Sequence, residues 1–273
     1  MVSIVIPAHN EERGIPRLLE ALGVPNEGSF EVIVVANGCN DATVEIATKL
    51  GATVIETPEP SKIKAIALGD TAATTFPRLY VDGDVMIDTD SVVALCERLT
   101  GGVHAAGPER ILPMGGVSLP VRWYYDIWGR LDGVRTELYG RGVIAVDQIG
   151  HARLADWQDV MADDGLIAMS FAPHERVVVR NARVTIWPPK TYRDLLRRRI
   201  RVATGNAMMA GQPSFERPSG ASARWMLRLA VTQPVLLPKI AVFAGTTAIV
   251  RLRKRLSRRT SDRVWLRDES SRV

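Results

Sequence analysis

Val2-Ser3-Ile4-Val5-Ile6-Pro7-Ala8-His9-Asn10-Glu11-Glu12 opens the chain, and Glu31-Val32-Ile33-Val34-Val35-Ala36-Asn37-Gly38-Cys39-Asn40-Asp41 follows the same plan. Each stretch is a run of β-branched residues that ends in a polar turn. Around them the spacing predicts helices over about Ile15–Leu22, Ala42–Leu50 and Ile63–Thr71, with further apolar runs at Ala52–Glu56 and Arg78–Val81. Buried strands separated by helices of about 10 residues are the signature of βαβ units and a mostly parallel sheet flanked by helices. Ligands of such sheets bind beyond the carboxyl ends of the strands, where the strand order reverses. Pro7–Glu12, Asn37–Asp41 and Asp82–Asp84 all fall at such ends.

A chain of 273 residues with 46% apolar and 24% charged side chains is long and apolar enough to bury a full core. We expect one catalytic domain over 1–210 and a helical, basic, membrane-leaning appendage over 211–273. Cys39 and Cys96 are the only cysteines, too few for a disulfide scaffold and without zinc-site spacing, which points to a reducing, cytoplasmic setting. The apolar run from Val2 lacks a basic flank and a cleavage site, so it reads as a strand and not a signal peptide. Charge divides along the chain: residues 181–273 hold 20 Lys/Arg against 5 Asp/Glu, and residues 1–180 hold 15 against 25. An acidic front argues against nucleic acid as a partner, while a basic back suits phosphates or an anionic membrane surface.

Asp82-Gly83-Asp84 follows Leu79–Val81 directly. Two carboxylates flanking a glycine at a strand end can hold a hard divalent cation that bridges a diphosphate, or form an Asx turn. Met86 at the next ligand position excludes a calcium loop. The chain has no Gly-Lys dipeptide and hence no P-loop, no G-x-G-x-x-G after the first strand, and no second histidine near His174-Glu175.

Pro7–Glu12, Val35–Asp41, Ser61-Lys62, Asp82–Asp84, Ala162-Asp163-Asp164-Gly165 and Arg197–Asn206, in this order and spacing, resemble the family-2 glycosyltransferases of the GT-A fold. The resemblance covers about Met1 to Asn206. It implies an inverting enzyme that uses a nucleotide-sugar donor and a divalent metal, Mn²⁺ or Mg²⁺. It further implies that Pro7, Ala8, His9, Glu11 and Asn37 hold the nucleoside, usually uridine, with Asn37 and Ala36 standing where many members have Asp. Lys62 would lie near the nucleotide, Asp84 would bind metal, and Asp82 with Gly83 would face ribose or metal. Asp164 would be the general base, with Asp163 beside it, and Gly140-Arg141-Gly142 would border the acceptor side. Arg198, Arg201 and Val202 match the Gln, Arg and Trp of a motif of processive synthases. Arg201 could cap the leaving diphosphate, and the missing Trp argues for transfer of one sugar.

Leu229–Val250 is apolar but carries Pro234, Pro238 and Lys239, and Arg251–Arg255 follows it. The part after Lys239 is about half of the roughly 20 residues a span requires, so a broken helical hairpin lying in the interface of the cytoplasmic membrane face is expected. A packed appendage or an oligomer contact is the alternative. The acceptor, a carbohydrate or a lipid-linked molecule, is not written in the sequence, although the setting would be polysaccharide biosynthesis. Two rivals are a nucleotidyltransferase, which needs a Gly-rich phosphate loop that Ala8-His9-Asn10 does not supply, and a non-catalytic carbohydrate-binding subunit, which has no need of the acidic set.

Overall fold

The computed structural model describes residues 1–25, 30–154, 170–209 and 221–257. The first apolar run forms β1 (Val2–Ala8), and α1 (Ile15–Ala21) leads to β2 (Phe30–Asn37). Then come α2 (Thr43–Lys49), β3 (Thr53–Thr57), α3 (Lys62–Ala72) and β4 (Arg78–Val81). β5 (Val85–Ile87), α4 (Thr89–Glu97), β6 (Ala105–Ile111), α5 (Leu119–Trp128) and α6 (Asp132–Thr136) follow. β7 (Val143–Val146), α7 (Gln148–Leu154), β8 (Arg176–Ile186), α8 (Tyr192–Met209), α9 (Ala223–Thr232) and α10 (Leu237–Ser257) complete the described chain.

The strands form one sheet in the order β3-β2-β1-β4-β7-β6-β8-β5. β1 pairs in parallel with β2 and β4, and β2 with β3. The second half is mixed, with antiparallel β4·β7, β6·β7 and β5·β8 beside parallel β6·β8. The sheet is thus less parallel than its front half foretells. Residues 177–186, which read as two runs parted at Asn181, form one strand. Its pairing with β6 skips from Val179 to Arg183 opposite Pro108 and Glu109, so the break seen in the sequence is an irregularity within a continuous strand.

Contacts divide the chain into two units, Met1–Leu112 with Leu138–Trp187, and Pro113–Glu137 with the chain from Pro188 onward. In the second unit α5 and α8 pack with the C-terminal helices. In the first unit Ile4, Val5 and Ile6 are all fully buried, as expected of a strand covered on both faces. Gly69 lets α3 press onto the sheet: a Cβ there would lie 2.4 Å from Val5 Cγ1 and 3.0 Å from Val35 Cγ2. At the amino end of β4, Arg78 is 4% exposed and donates to Asp70 Oδ1 at 2.6 Å, while Tyr80 and His151 reach the same carboxylate at 2.7 Å.

In the second unit Val121, Tyr124 and Ile127 of α5, Leu195 of α8 and Leu236, Ile240 and Phe243 form one buried cluster. Tyr124 stacks on Phe243 at 5.1 Å, Lys239 pairs with Asp126 at 2.5 Å, and Tyr192 hydrogen-bonds Thr246 at 2.9 Å. Pro238 does not interrupt the last helix, contrary to the sequence reading, because it sits in the first turn, where the missing N–H has no intrahelical partner to lose. α10 therefore runs unbroken, and Pro234–Arg253 is 20 residues long and apolar enough to cross a membrane by length and composition. Its Ile240 and Phe243 belong to the cluster just described.

Candidate active site

β1 and β4 lie side by side where the strand order reverses, and their carboxyl ends carry the first loop and the acidic turn. After Ala8 the chain turns through Asn10, whose φ of 52° is a left-handed conformation that Asn tolerates. Asn10 Oδ1 then accepts the Asn40 N–H at 2.8 Å, Glu12 N–H donates to Asp41 Oδ2 at 3.2 Å, and Glu11 N–H donates to Thr43 Oγ1 at 2.7 Å. Burial pushes the Asp41 carboxyl up, but hydrogen bonds from Thr43 and Glu12 more than offset this and hold it below its ordinary range. Asn37 is buried and donates Nδ2 to the carbonyls of Ala8 at 2.8 Å and Val35 at 3.4 Å, which orients its side-chain oxygen as the acceptor. The His9 Nδ1–H donates to the Asn37 carbonyl at 2.5 Å.

Ser61 caps α3 by accepting the Lys64 N–H at 3.3 Å, and the close seat at Gly69 fixes where that helix begins. Lys62, its first residue, pairs with Asp82 Oδ1 at 2.5 Å. Gly83 is buried against the first loop: a Cβ there would lie 3.2 Å from Glu11 Cγ and 3.5 Å from the Pro7 carbonyl. The structure thus gathers Pro7, Ala8, Glu11, Lys62, Asp82 and Gly83, and holds His9 against Asn37. Asp84 is half-buried on the same turn. Arg198 and Arg201 lie on α8 in the second unit, while Asp163 and Asp164 lie outside the described residues.

No group of three or more His, Cys, Asp or Glu side chains gathers among the described residues. Two neighbouring carboxylates are nonetheless the donor set that Mg²⁺ and its relatives use when phosphate oxygens and water supply the remainder. Asp82 and Asp84 fit that requirement. Asp82 borders a small cleft lined also by Pro7, Lys62, Ile66, Tyr80, Leu138, Gly142 and Ile144.

Gly142 is the member of this wall whose weight the sequence understated. Its φ is +65°, a Cβ would lie 2.6 Å from Val85 Cγ1 and 3.4 Å from Asp82 Oδ2, and its carbonyl accepts the Asp82 N–H at 2.8 Å. Gly142→Ala is expected to lower stability by about 1–3 kcal/mol and to displace Asp82; thermal melts on the variant check the loss. Asn10, part of the Pro7–Glu12 motif, and Thr43, in the expected helix Ala42–Leu50, tie the loops together, a role the sequence did not assign to either. Tyr80 and Ile144 read only as strand interior.

Comparison with known proteins adds a family likeness. Residues 3–130 match the profile described as Glycosyl transferase family 2. An uncharacterized glycosyltransferase of Mycobacterium tuberculosis is 30% identical over 119 residues, which is 44% of this chain and 52% of that protein. The 4,4'-diaponeurosporenoate glycosyltransferase of Staphylococcus aureus is 30% identical over 129 residues, 45% of this chain and 33% of that protein. The chain thus spans about half, or less, of the curated relatives it matches. Among solved structures, a mannosyltransferase from Pyrobaculum calidifontis in complex with GDP-Man and Mn²⁺ superposes with a TM-score of 0.57 at 20% identity, covering 94% of this chain and 80% of that one. Glucosyl-3-phosphoglycerate synthase from Mycobacterium tuberculosis, in complex with uridine diphosphate, gives 0.55 at 18% identity over 78% and 81%. These likenesses establish a GT-A-like fold. Over residues 3–130, slightly less than half of its length, the chain is similar to glycosyl transferase family 2.

Proposed function

We propose that the protein transfers a single sugar from a nucleoside diphosphate, with uridine as the nucleoside, to an acceptor hydroxyl with inversion, as a step of polysaccharide biosynthesis. The observation that carries the reading is the meeting of Lys62, the Asp82-Gly83-Asp84 turn and the first loop at the reversal of strand order. Asp84 and Asp82 would hold Mn²⁺ or Mg²⁺, which when bound neutralises charge on the leaving diphosphate. Lys62 adds a positive charge beside it. The oriented oxygen of Asn37 suits a base that presents an N–H edge, as uracil does. The solved neighbours bound to GDP-Man with Mn²⁺ and to uridine diphosphate lend the donor class and the metal.

In this reading Asp164 takes the proton of the acceptor hydroxyl, with Asp163 beside it, and Arg198 and Arg201 serve the diphosphate. Catalysis belongs to residues 1–210. The 211–273 segment keeps the enzyme at the cytoplasmic face of a membrane, where a carbohydrate or lipid-linked acceptor is presented.

Release of nucleoside diphosphate from a panel of nucleotide sugars, with Mn²⁺ and with chelator, tests the assignment; a panel in which no donor binds or turns over overturns it. Asp164→Asn should leave calorimetric donor binding near normal and reduce transfer by about 10²–10⁴-fold, because a base acts in the transition state and not in nucleotide capture. Loss of transfer in Asp163→Asn alone would exchange the two roles.

A further inference from the structure

α9 buries none of its residues completely. One side of it, with Trp225, Met226, Leu229 and Ala230, packs on the second unit's cluster. The other side turns Leu227 and Val231 outward, 66% and 74% exposed, and the following turn adds Val235 at 80% and Leu237 at 51%. Leu227 and Val231 stand one helical turn apart, so they share a face. Six of the large apolar side chains that the described residues leave exposed fall between Leu227 and Leu252, so the apolar surface is concentrated here and not scattered. Arg224 and Arg228 stand exposed on the same helix. Between Glu216 and Asp262 the sequence holds ten Lys/Arg and no Asp or Glu.

An exposed aliphatic row in an acid-free, strongly basic segment complements an anionic lipid surface. It does not complement a second copy of itself, whose equally basic face would repel it. α10 is long enough to span a bilayer, but its inner stripe is committed to α5 and α8, which carry charged groups such as Asp126 and Arg197. Phe243 stacks on Tyr124, Lys239 pairs with Asp126, and Thr246 hydrogen-bonds Tyr192. Spanning would either carry the charged groups of those helices into hydrocarbon or strip α10 from its core.

We propose that Leu227, Val231, Val235 and Leu237, flanked by Arg224 and Arg228, dock on an anionic bilayer with α9 lying in the interface, and that α10 does not cross it. This rests on the membrane contact named in the proposed function and specifies its residues and geometry.

The test uses the full chain and vesicles of phosphatidylcholine, with or without about one-third phosphatidylglycerol. The native chain should float with the anionic vesicles, bind less in high salt as the charge is screened, and be released by alkaline carbonate. Withdrawing one buried aliphatic side chain costs about tenfold or more in partition, so L227D/V231D/V235D should weaken binding by over 100-fold. Uridine diphosphate binding with Mn²⁺, followed by calorimetry on the same variant, should be retained, which shows that the chain is folded and separates this proposal from the donor assignment. Retention on the membrane after carbonate would overturn the in-plane geometry. Undiminished flotation of the triple variant, or a dimer in solution that the variant abolishes, would overturn the docking face.

Discussion

Asp84→Asn is expected to abolish Mn²⁺-dependent binding of uridine diphosphate while leaving the fold intact. The turn that carries Asp84 lies between β4 and β5 at the carboxyl end of the sheet, and Asp84 is half-buried. An amide preserves the shape and removes the charge. Asp82 and Asp84 are the two carboxylates of the turn, and losing the charge of Asp84 removes half of that ionic donor set. Removing a group that merely supports a metal ligand costs about 10–100-fold in affinity, so loss of a ligand should exceed 100-fold. Calorimetry with nucleotide, in Mn²⁺ and in chelator, reads the effect. Undiminished metal-dependent binding in the variant would remove Asp84 from the site.

The second large effect is on stability. Arg78→Met should destabilise the first unit by about 3 kcal/mol, the lower end of the range for breaking a buried ion pair, because the Asp70 side chain keeps 27% of its surface exposed. Arg78 donates to Asp70 and to the carbonyls of Asp70 and Ala73, and methionine satisfies none of them. Burial alone would push Asp70 up, but bonds from Tyr80, His151 and Arg78 outweigh it and hold the carboxyl below its ordinary 3.8. A carboxyl lowered in the folded state contributes stability that is present above its unfolded value and lost as pH falls through the folded one. Denaturant melts should therefore show the native protein losing this contribution in acid below about pH 4, and Arg78→Met lacking much of it already at neutral pH. Equal stability of the two proteins at neutral pH would sink the assignment.

The front of the molecule was legible because β-branched runs and polar turns alternate there without interruption. β1 to β4, the helices between them and the strand-end positions of Pro7, Asn37 and Asp82 all followed from that pattern. Three features were not legible, each for a physical reason. Antiparallel pairing of β7 with β4 and β6 depends on which strands meet, which local periodicity does not encode. Pro238 reads as a breaker in a window of sequence and becomes harmless once the helix is seen to begin beside it. Gly142 reads as a turn glycine, and only the packed structure shows that its missing Cβ makes room for Val85 and Asp82. Lys62, which the resemblance places near the nucleotide, pairs with Asp82, which the resemblance turns toward ribose or metal.

The reciprocal bonds between the loops after β1 and β2 bear on how such a protein can be re-engineered or diverge. Asn10 serves the backbone of Asn40, Asp41 serves the backbone of Glu12, and Glu12 returns a carboxylate to the Ala42 N–H. Each loop therefore supplies the acceptors that finish the other. A loop transplanted alone from a relative would arrive with donors unmatched, however well it suited a new nucleotide. The pair is a single structural cassette, so a substitution that alters one loop's acceptors is expected to require a matching change in the other.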